Sequence, residues 1–142
     1  MKLEAFDLRI LGIDYGNKRV GIAVSDALGW TAQPLDTLAM HGHQELLTEI
    51  KAYLEKYDVE KIVVGMPFNM DGSRGKRAEI TQAFINFLKN NLELPIIIQD
   101  ERLTTSQAKN ILLEADVSRK GRKKVIDKIA ASLILQSYLD RK

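Results

Sequence analysis

The chain contains no cysteine, which excludes disulfides and thiolate metal sites and fits a reducing compartment. It has no apolar run near the ~18 residues that a membrane span requires. Residues 1–10 lack the long apolar core and small-residue cleavage site of a secretion signal. The expected location is therefore the cytoplasm, with no membrane partner. No repeat, low-complexity tract or linker interrupts the 142 residues, a length that suits one domain spanning 1–142. Excess charge of one sign is scarce too. The formal net charge is +2, too little for the total alone to name nucleic acid as a partner.

What is present is ordinary for a soluble globular protein: 45% hydrophobic and 28% charged residues. A chain of this size buries roughly 68–70% of its unfolded surface, so it needs no covalent or metal staple. The distribution of charge says more than the total. Arg119, Lys120, Arg122, Lys123 and Lys124 crowd around Gly121. That segment reads either as a solvated loop or as a patch that contacts phosphate.

Hydrophobic periodicity divides the chain into alternating elements. Residues 8–14 read as a strand and residues 19–25 as a second, with Val20, Ile22 and Val24 on one face and Gly21, Ala23 and Ser25 on the other. Between them, Asp14-Tyr15-Gly16-Asn17-Lys18 has turn chemistry, so the two strands form a hairpin. Residues 31–38 suggest a third strand, which Pro34 confines to an edge or breaks. Helices are expected over 44–57, 76–90, 106–115 and 124–139, and short apolar strands over 61–65 and 95–99. Leu47, Ile50 and Leu54 form the core stripe of the first helix; Ile80, Phe84, Phe87 and Leu88 form that of the second. A hairpin followed by strand and helix in alternation predicts an α/β fold, a mixed sheet with helices on its faces.

Three acids stand out. Asp14 closes a buried strand just before a glycine-containing turn, and Glu101 follows the strand at 95–99. Ligand sites commonly gather at such strand ends. Asp127 lies three and four residues before Ala130 and Ala131, and seven before Ile134. It thus shares a helix face with small and apolar residues, where an unpaired charge is expensive. If the strand ends and the last helix converge, the three carboxylates make an oxygen-ligand site for Mg²⁺ or Mn²⁺. Three carboxylates and a bridging phosphate carry about four negative charges, which two divalent cations ~3.5–4 Å apart would balance while a water attacks in line. Each acid also has a plain structural alternative. Asp14 suits a turn or cap, Glu101 could pair with Arg102 or Arg19, and Asp127 could pair with a lysine of the preceding basic segment.

The motifs carry a resemblance. The run from Leu11 through Asp14, Gly16, Lys18, Arg19 and Gly21 to Asp26 is similar to the opening signature of the YqgF family, whose members are called pre-16S rRNA nucleases or Holliday junction resolvases. Val64-Gly65-Met66-Pro67 with Asn69-Met70-Asp71-Gly72 resembles the family's second motif, and Asp100-Glu101-Arg102-Leu103-Thr104-Thr105 its third. Lys124-Val125-Ile126-Asp127 with Ala130-Ala131, Ile134-Leu135 and Tyr138-Leu139 resembles its last. The four motifs stand in family order over nearly the whole chain. The resemblance implies a ribonuclease-H-like fold related to the RuvC resolvases, with a mixed sheet of about five strands. It implies catalytic, metal-binding acids at Asp14, Glu101 and Asp127. It also implies nuclease activity that matures the 5′ end of 16S ribosomal RNA, with resolution of branched DNA as the second reading.

Around the acids, Lys18, Arg19, Asn69, Arg102, Arg122, Lys123 and Lys124 are the expected substrate contacts, each with an ordinary surface or packing role as its alternative. Gly16 suits a tight turn beside the site. Thr104 or Thr105 suits a helix cap. His41 and His43 fit a polar loop rather than a metal site. Tyr15 and Trp30 could stack on bases, but packing is the simpler role. The expected partners are pre-ribosomal RNA or branched DNA, together with ribosomal particles, and the chain is expected to be a monomer or homodimer. Two rival classes remain: a non-catalytic nucleic-acid-binding module, and an actin-like ATP-binding domain. The latter shares the Asp-x-Gly turn after a strand but needs a second domain around its nucleotide.

Overall fold

Five segments rich in Ile, Val and Leu pair into one sheet. In the computed structural model, residues 9–69, 71–101 and 119–141 are described, the side chains of the last stretch from residue 126 onward. The strands are β1 (Arg9–Tyr15), β2 (Arg19–Ser25), β3 (Ala32–Ala39), β4 (Val59–Met66) and β5 (Ile96–Asp100). Their spatial order is β3-β2-β1-β4-β5. The first three strands form an antiparallel meander, while β4 and β5 add in parallel beside β1. The expected mixed sheet is what forms. β3 is an edge strand, as Pro34 requires, and the ladder shifts register at the step from Ile22 to Ala23, opposite that proline.

Alternation along each strand sorts the side chains into two cores. Leu11, Ile13, Val20, Ile22, Val24, Ile62 and Val64 face one side. There they pack under α1 (His43–Tyr57) and α2 (Lys76–Asn91), which contribute Leu46, Leu47 and Ile50, and Phe84, Ile85 and Leu88. On the other face, Ile10, Ala23 and Val63 meet Ala131, Ile134, Leu135 and Leu139 of α3 (Arg119–Asp140). Both α1 and α2 start and end within a residue of where the periodicity puts them. Leu54, Ile80 and Phe87 sit at the partly buried margin of the core rather than at its centre. None of the described helices is long and apolar enough to cross a membrane.

Two expectations need correction. The basic segment is not a loop: the backbone from Arg119 is already helical, so α3 begins five residues before the expected start at 124. Lysine and arginine are good helix formers, and one glycine costs about 1 kcal/mol, which a 22-residue helix tolerates. His43 is also not a loop residue. It is the first residue of α1 and its ring packs inward. The helix expected at 106–115, the cap at Thr104 or Thr105, and Arg102 all lie outside the described residues.

Candidate active site

On the face covered by α3, the strands carry glycine where other positions carry bulk. A Cβ at Gly12 would sit 2.8 Å from Leu135 Cβ, and one at Gly65 would sit 2.5 Å from Ile134 Cδ1. A Cβ at Gly21 would collide with the backbone oxygen of Asp127. Gly21 pairs with Asp14 across the β1–β2 ladder. The missing side chain therefore lets the backbone of α3 settle directly beside Asp14, which brings Asp127 to the strand ends. The turn from β1 to β2 is equally tight, since a Cβ at Gly16 would strike the carbonyl oxygen of Arg19.

Glu101 enters from the far side. It follows β5, and its amide donates to Met66 O at the end of β4 (3.2 Å). Its side chain is folded over Gly65, where an added Cβ would come within 2.9 Å of both Cδ and Oε2. Glu101 is buried, and among the described residues its Oε2 has no hydrogen-bond partner. Burial and the neighbouring Asp14 carboxylate push the Glu101 carboxyl well above the usual range. Asp14 is raised as well, by burial first and then by the charge of Asp127. Glu101 opposes the rise in Asp14 by hydrogen bonding to it. Glu101 is buried and Asp14 half-buried, and both carboxyls are pushed above the usual range, which suits a site that takes positive charge.

The third acid is held differently. Asp127 Oδ2 accepts a hydrogen bond from Arg19 Nε at 2.5 Å, tying the first residue of β2 to α3 across 108 positions. Its ion-pair partner is thus Arg19, and the expected lysine of the basic segment is not needed to explain it. Among the described residues, no three acids or histidines stand close enough together to hold one metal ion. The structure brings Asp14 and Glu101 into direct interaction. It places Asp127 near enough to act on Asp14 by charge, with its own carboxylate turned to Arg19.

Arg77, on the first turn of α2, is a residue that sequence reasoning missed. Its guanidinium donates to Tyr15 O (2.8 Å) and Asn17 Oδ1 (2.5 Å) on the turn that follows Asp14. Its charge favours the ionised form of both Asp14 and Glu101. Only a basic residue just inside a helix, after the loop that continues β4, could have signalled it.

The remaining expected contacts are dispersed. Lys18 is exposed on the β1–β2 turn, where its carbonyl accepts from the Met40 amide. The Asn69 side chain is engaged inside its own loop, donating to Ser73 Oγ (3.0 Å). Arg122, Lys123 and Lys124 fall on the first turns of α3. Tyr15 is a packing residue: its ring stacks on Phe84 at 4.1 Å and its hydroxyl bonds His43 Nε2 at 2.8 Å. Trp30 is 73% exposed.

Residues 8–141 match the family model described as RuvX, Holliday junction resolvase. A relative from Halothermothrix orenii, named "Putative pre-16S rRNA nuclease", is 55% identical over 133 residues, covering 94% of this chain and 95% of its own. A solved fowlpox virus resolvase, in complex with Holliday junction DNA, superposes with a TM-score of 0.58 at 13% identity over 94% of this chain and 98% of its own. Thermus thermophilus RuvC, also bound to a Holliday junction, gives 0.51 at 16% identity over 94% and 95%. At those identities the likeness concerns the fold, which is ribonuclease-H-like. Four motifs in order, a family match from one end of the sheet to the last helix and a relative at 55% identity lead to one assignment: the chain belongs to the RuvX (YqgF) family.

Proposed function

We propose that the chain is a metal-dependent nuclease that hydrolyses phosphodiester bonds. Its natural substrate on this reading is the 5′ region of precursor 16S ribosomal RNA, handled by one cytoplasmic domain spanning 1–142. The observation that carries the reading is the Asp14–Glu101 pair, with Glu101 buried and its Oε2 without a hydrogen-bond partner among the described residues. A structural acid would be given donors, and a buried carboxylate without them is costly. Hard oxygen donors at a strand end suit Mg²⁺ or Mn²⁺.

Asp14 and Glu101 would hold the ion, and Asp127 would join them once released by Arg19. When bound, such an ion acidifies a coordinated water and offsets the charge on the phosphate. The chain's own residues do the rest. Asp14 and Glu101 must both be ionised to serve as ligands, so any proton that burial favours on either has to leave. Arg19, freed from Asp127, would neutralise a strand phosphate, with Lys18 one residue before it on the β1–β2 turn. Arg102, Asn69 and the α3 cations Arg122, Lys123 and Lys124 are the proposed further contacts along the strand.

The test compares the purified protein with Asp14→Asn on two substrates, precursor ribosomal RNA and a four-way DNA junction, with Mg²⁺ or Mn²⁺ and with chelator. The reading expects metal-dependent cleavage of the RNA that Asp14→Asn abolishes. Cleavage of the junction alone would favour the resolvase reading, to which the family description points. Full activity in excess chelator would refute the metal-dependent mechanism.

A further inference from the structure

Resting on the nuclease reading above, we propose that Arg77 is a substrate-contacting residue of this site, its guanidinium taking a phosphate oxygen of the strand bound at Asp14 and Glu101. Arg77 is set up to present its charge rather than to spend it. Among the described residues its hydrogen bonds go to a backbone carbonyl, Tyr15 O, and to a neutral amide oxygen, Asn17 Oδ1. It makes no ion pair with either acid, although both feel its charge. Arg19 is the opposite case, its charge matched by Asp127 at 2.5 Å.

A guanidinium has five N–H groups. Two acceptors on one turn fix its plane and leave donors on the same fork. The anchor is stiff, because Tyr15 is stacked on Phe84 and bonded to His43, and Gly16 closes the turn against Arg19. The cation is therefore locked beside the acid pair by the residue that follows Asp14. Such a group cannot be the metal ligand and would repel a divalent ion if it pointed at one. A phosphate drawn to the acids by metal offers the anionic oxygens that match a planar fork. Arg77 would then orient the strand from the α2 side of the sheet.

The experiment measures binding, separately from cleavage, with all three acids intact and Ca²⁺, a hard cation for oxygen ligands, in place of Mg²⁺. The probes are an end-labelled precursor rRNA fragment and a labelled four-way junction, titrated at several salt concentrations. Arg77→Gln should weaken binding about tenfold at low salt, the size of one lost charged hydrogen bond. It should also reduce the slope of log affinity against log salt by about 0.7 for a single strand or 0.9 for a duplex. Arg77→Lys should keep the slope and lose part of the affinity, because an ammonium cannot make the forked contact. An Arg77→Gln protein with parental slope and affinity overturns the proposal, whether or not its melting temperature falls. If Arg77→Gln does not fold, parental affinity in folded Arg77→Lys overturns it instead. If the protein with an unaltered Arg77 binds neither probe, the nuclease reading falls and Arg77 with it. If it binds and only the Arg77 variants are without effect, the nuclease reading stands and this inference alone falls.

Discussion

Asp14 and Asp26 sit at opposite ends of the same hairpin, and they are treated in opposite ways. Asp26 follows β2 and collects donors. Its side chain accepts from the Trp30 amide (2.7 Å), the Thr31 amide (3.3 Å) and the Thr31 hydroxyl (3.3 Å). Gln136 of α3 then clamps the same loop by donating to Trp30 O and accepting from the Ala32 amide. Burial nudges the Asp26 carboxyl upward, but those hydrogen bonds outweigh it and hold the group below the usual range. Asp14 and Glu101 receive no such network and are pushed the other way. Both ends are strand-end acids, but only Asp26 is given the donors it needs to hold a loop. The other end keeps its charge unsatisfied for something that arrives.

The largest effect that this contrast predicts is on cleavage. Asp14→Asn or Glu101→Gln should lower the rate by on the order of 10³-fold or more, because the metal-held reacting group is lost. In metal-free buffer each variant should melt at or above the parent, since like charges no longer repel. A variant that is destabilised without metal yet still cuts would put these acids in the same class as Asp26.

Next comes the close approach of α3. Gly21→Ala places a methyl on the Asp127 carbonyl. It should destabilise by about 1–3 kcal/mol or more through overpacking, lower the melting temperature by several degrees, and slow cleavage by shifting Asp127. A normal melting curve with normal cleavage would show that the contact is not needed.

The pH dependence has a definite sign. The folded protein holds protons more tightly at Asp14, raised to about 6, and at Glu101, raised to about 9, than the unfolded chain does. Between the unfolded and folded values the native state binds more protons, so metal-free stability should fall as pH rises from about 4 through 6 and toward 9. Mg²⁺ or Mn²⁺ should flatten that fall, because the ion binds the ionised pair. Melting scans across pH, with and without metal, read this directly. Stability that rises over this range would invalidate the assigned environment.

The smallest effect belongs to the satisfied acid. Asp26→Ala should lower melting by a few degrees through lost loop hydrogen bonds, with cleavage per folded molecule unchanged and no altered response to metal. A loss of metal response would erase the distinction between the two ends.

Much of this architecture is legible locally. The alternation of Val20, Ile22 and Val24 against Gly21, Ala23 and Ser25 placed β2 with its faces the right way round, and Pro34 put β3 at an edge. Asp14 could be picked out because a strand end beside a glycine turn is a local pattern, and Glu101 because it directly follows a short apolar strand. Other features were not legible. The start of α3 lies in a run of Lys and Arg, where solvated helix and solvated loop look alike. Arg77 carries no motif that names what it reaches.

By itself, the sequence determined the five strands, the first two helices and their faces, because hydrophobic period and turn chemistry act over a few residues, and its motifs determined the family. Only the tertiary structure decided who pairs with whom. Arg19 could have met Glu101 and instead took Asp127, 108 positions away. Gly12, Gly21 and Gly65 became one seam only once α3 lay across three strands. Glu101 Oε2 was left without a partner among the described residues only once its side chain lay over Gly65 of β4. Partner choice depends on distances between segments far apart in the chain, and those distances exist only after the backbone has packed.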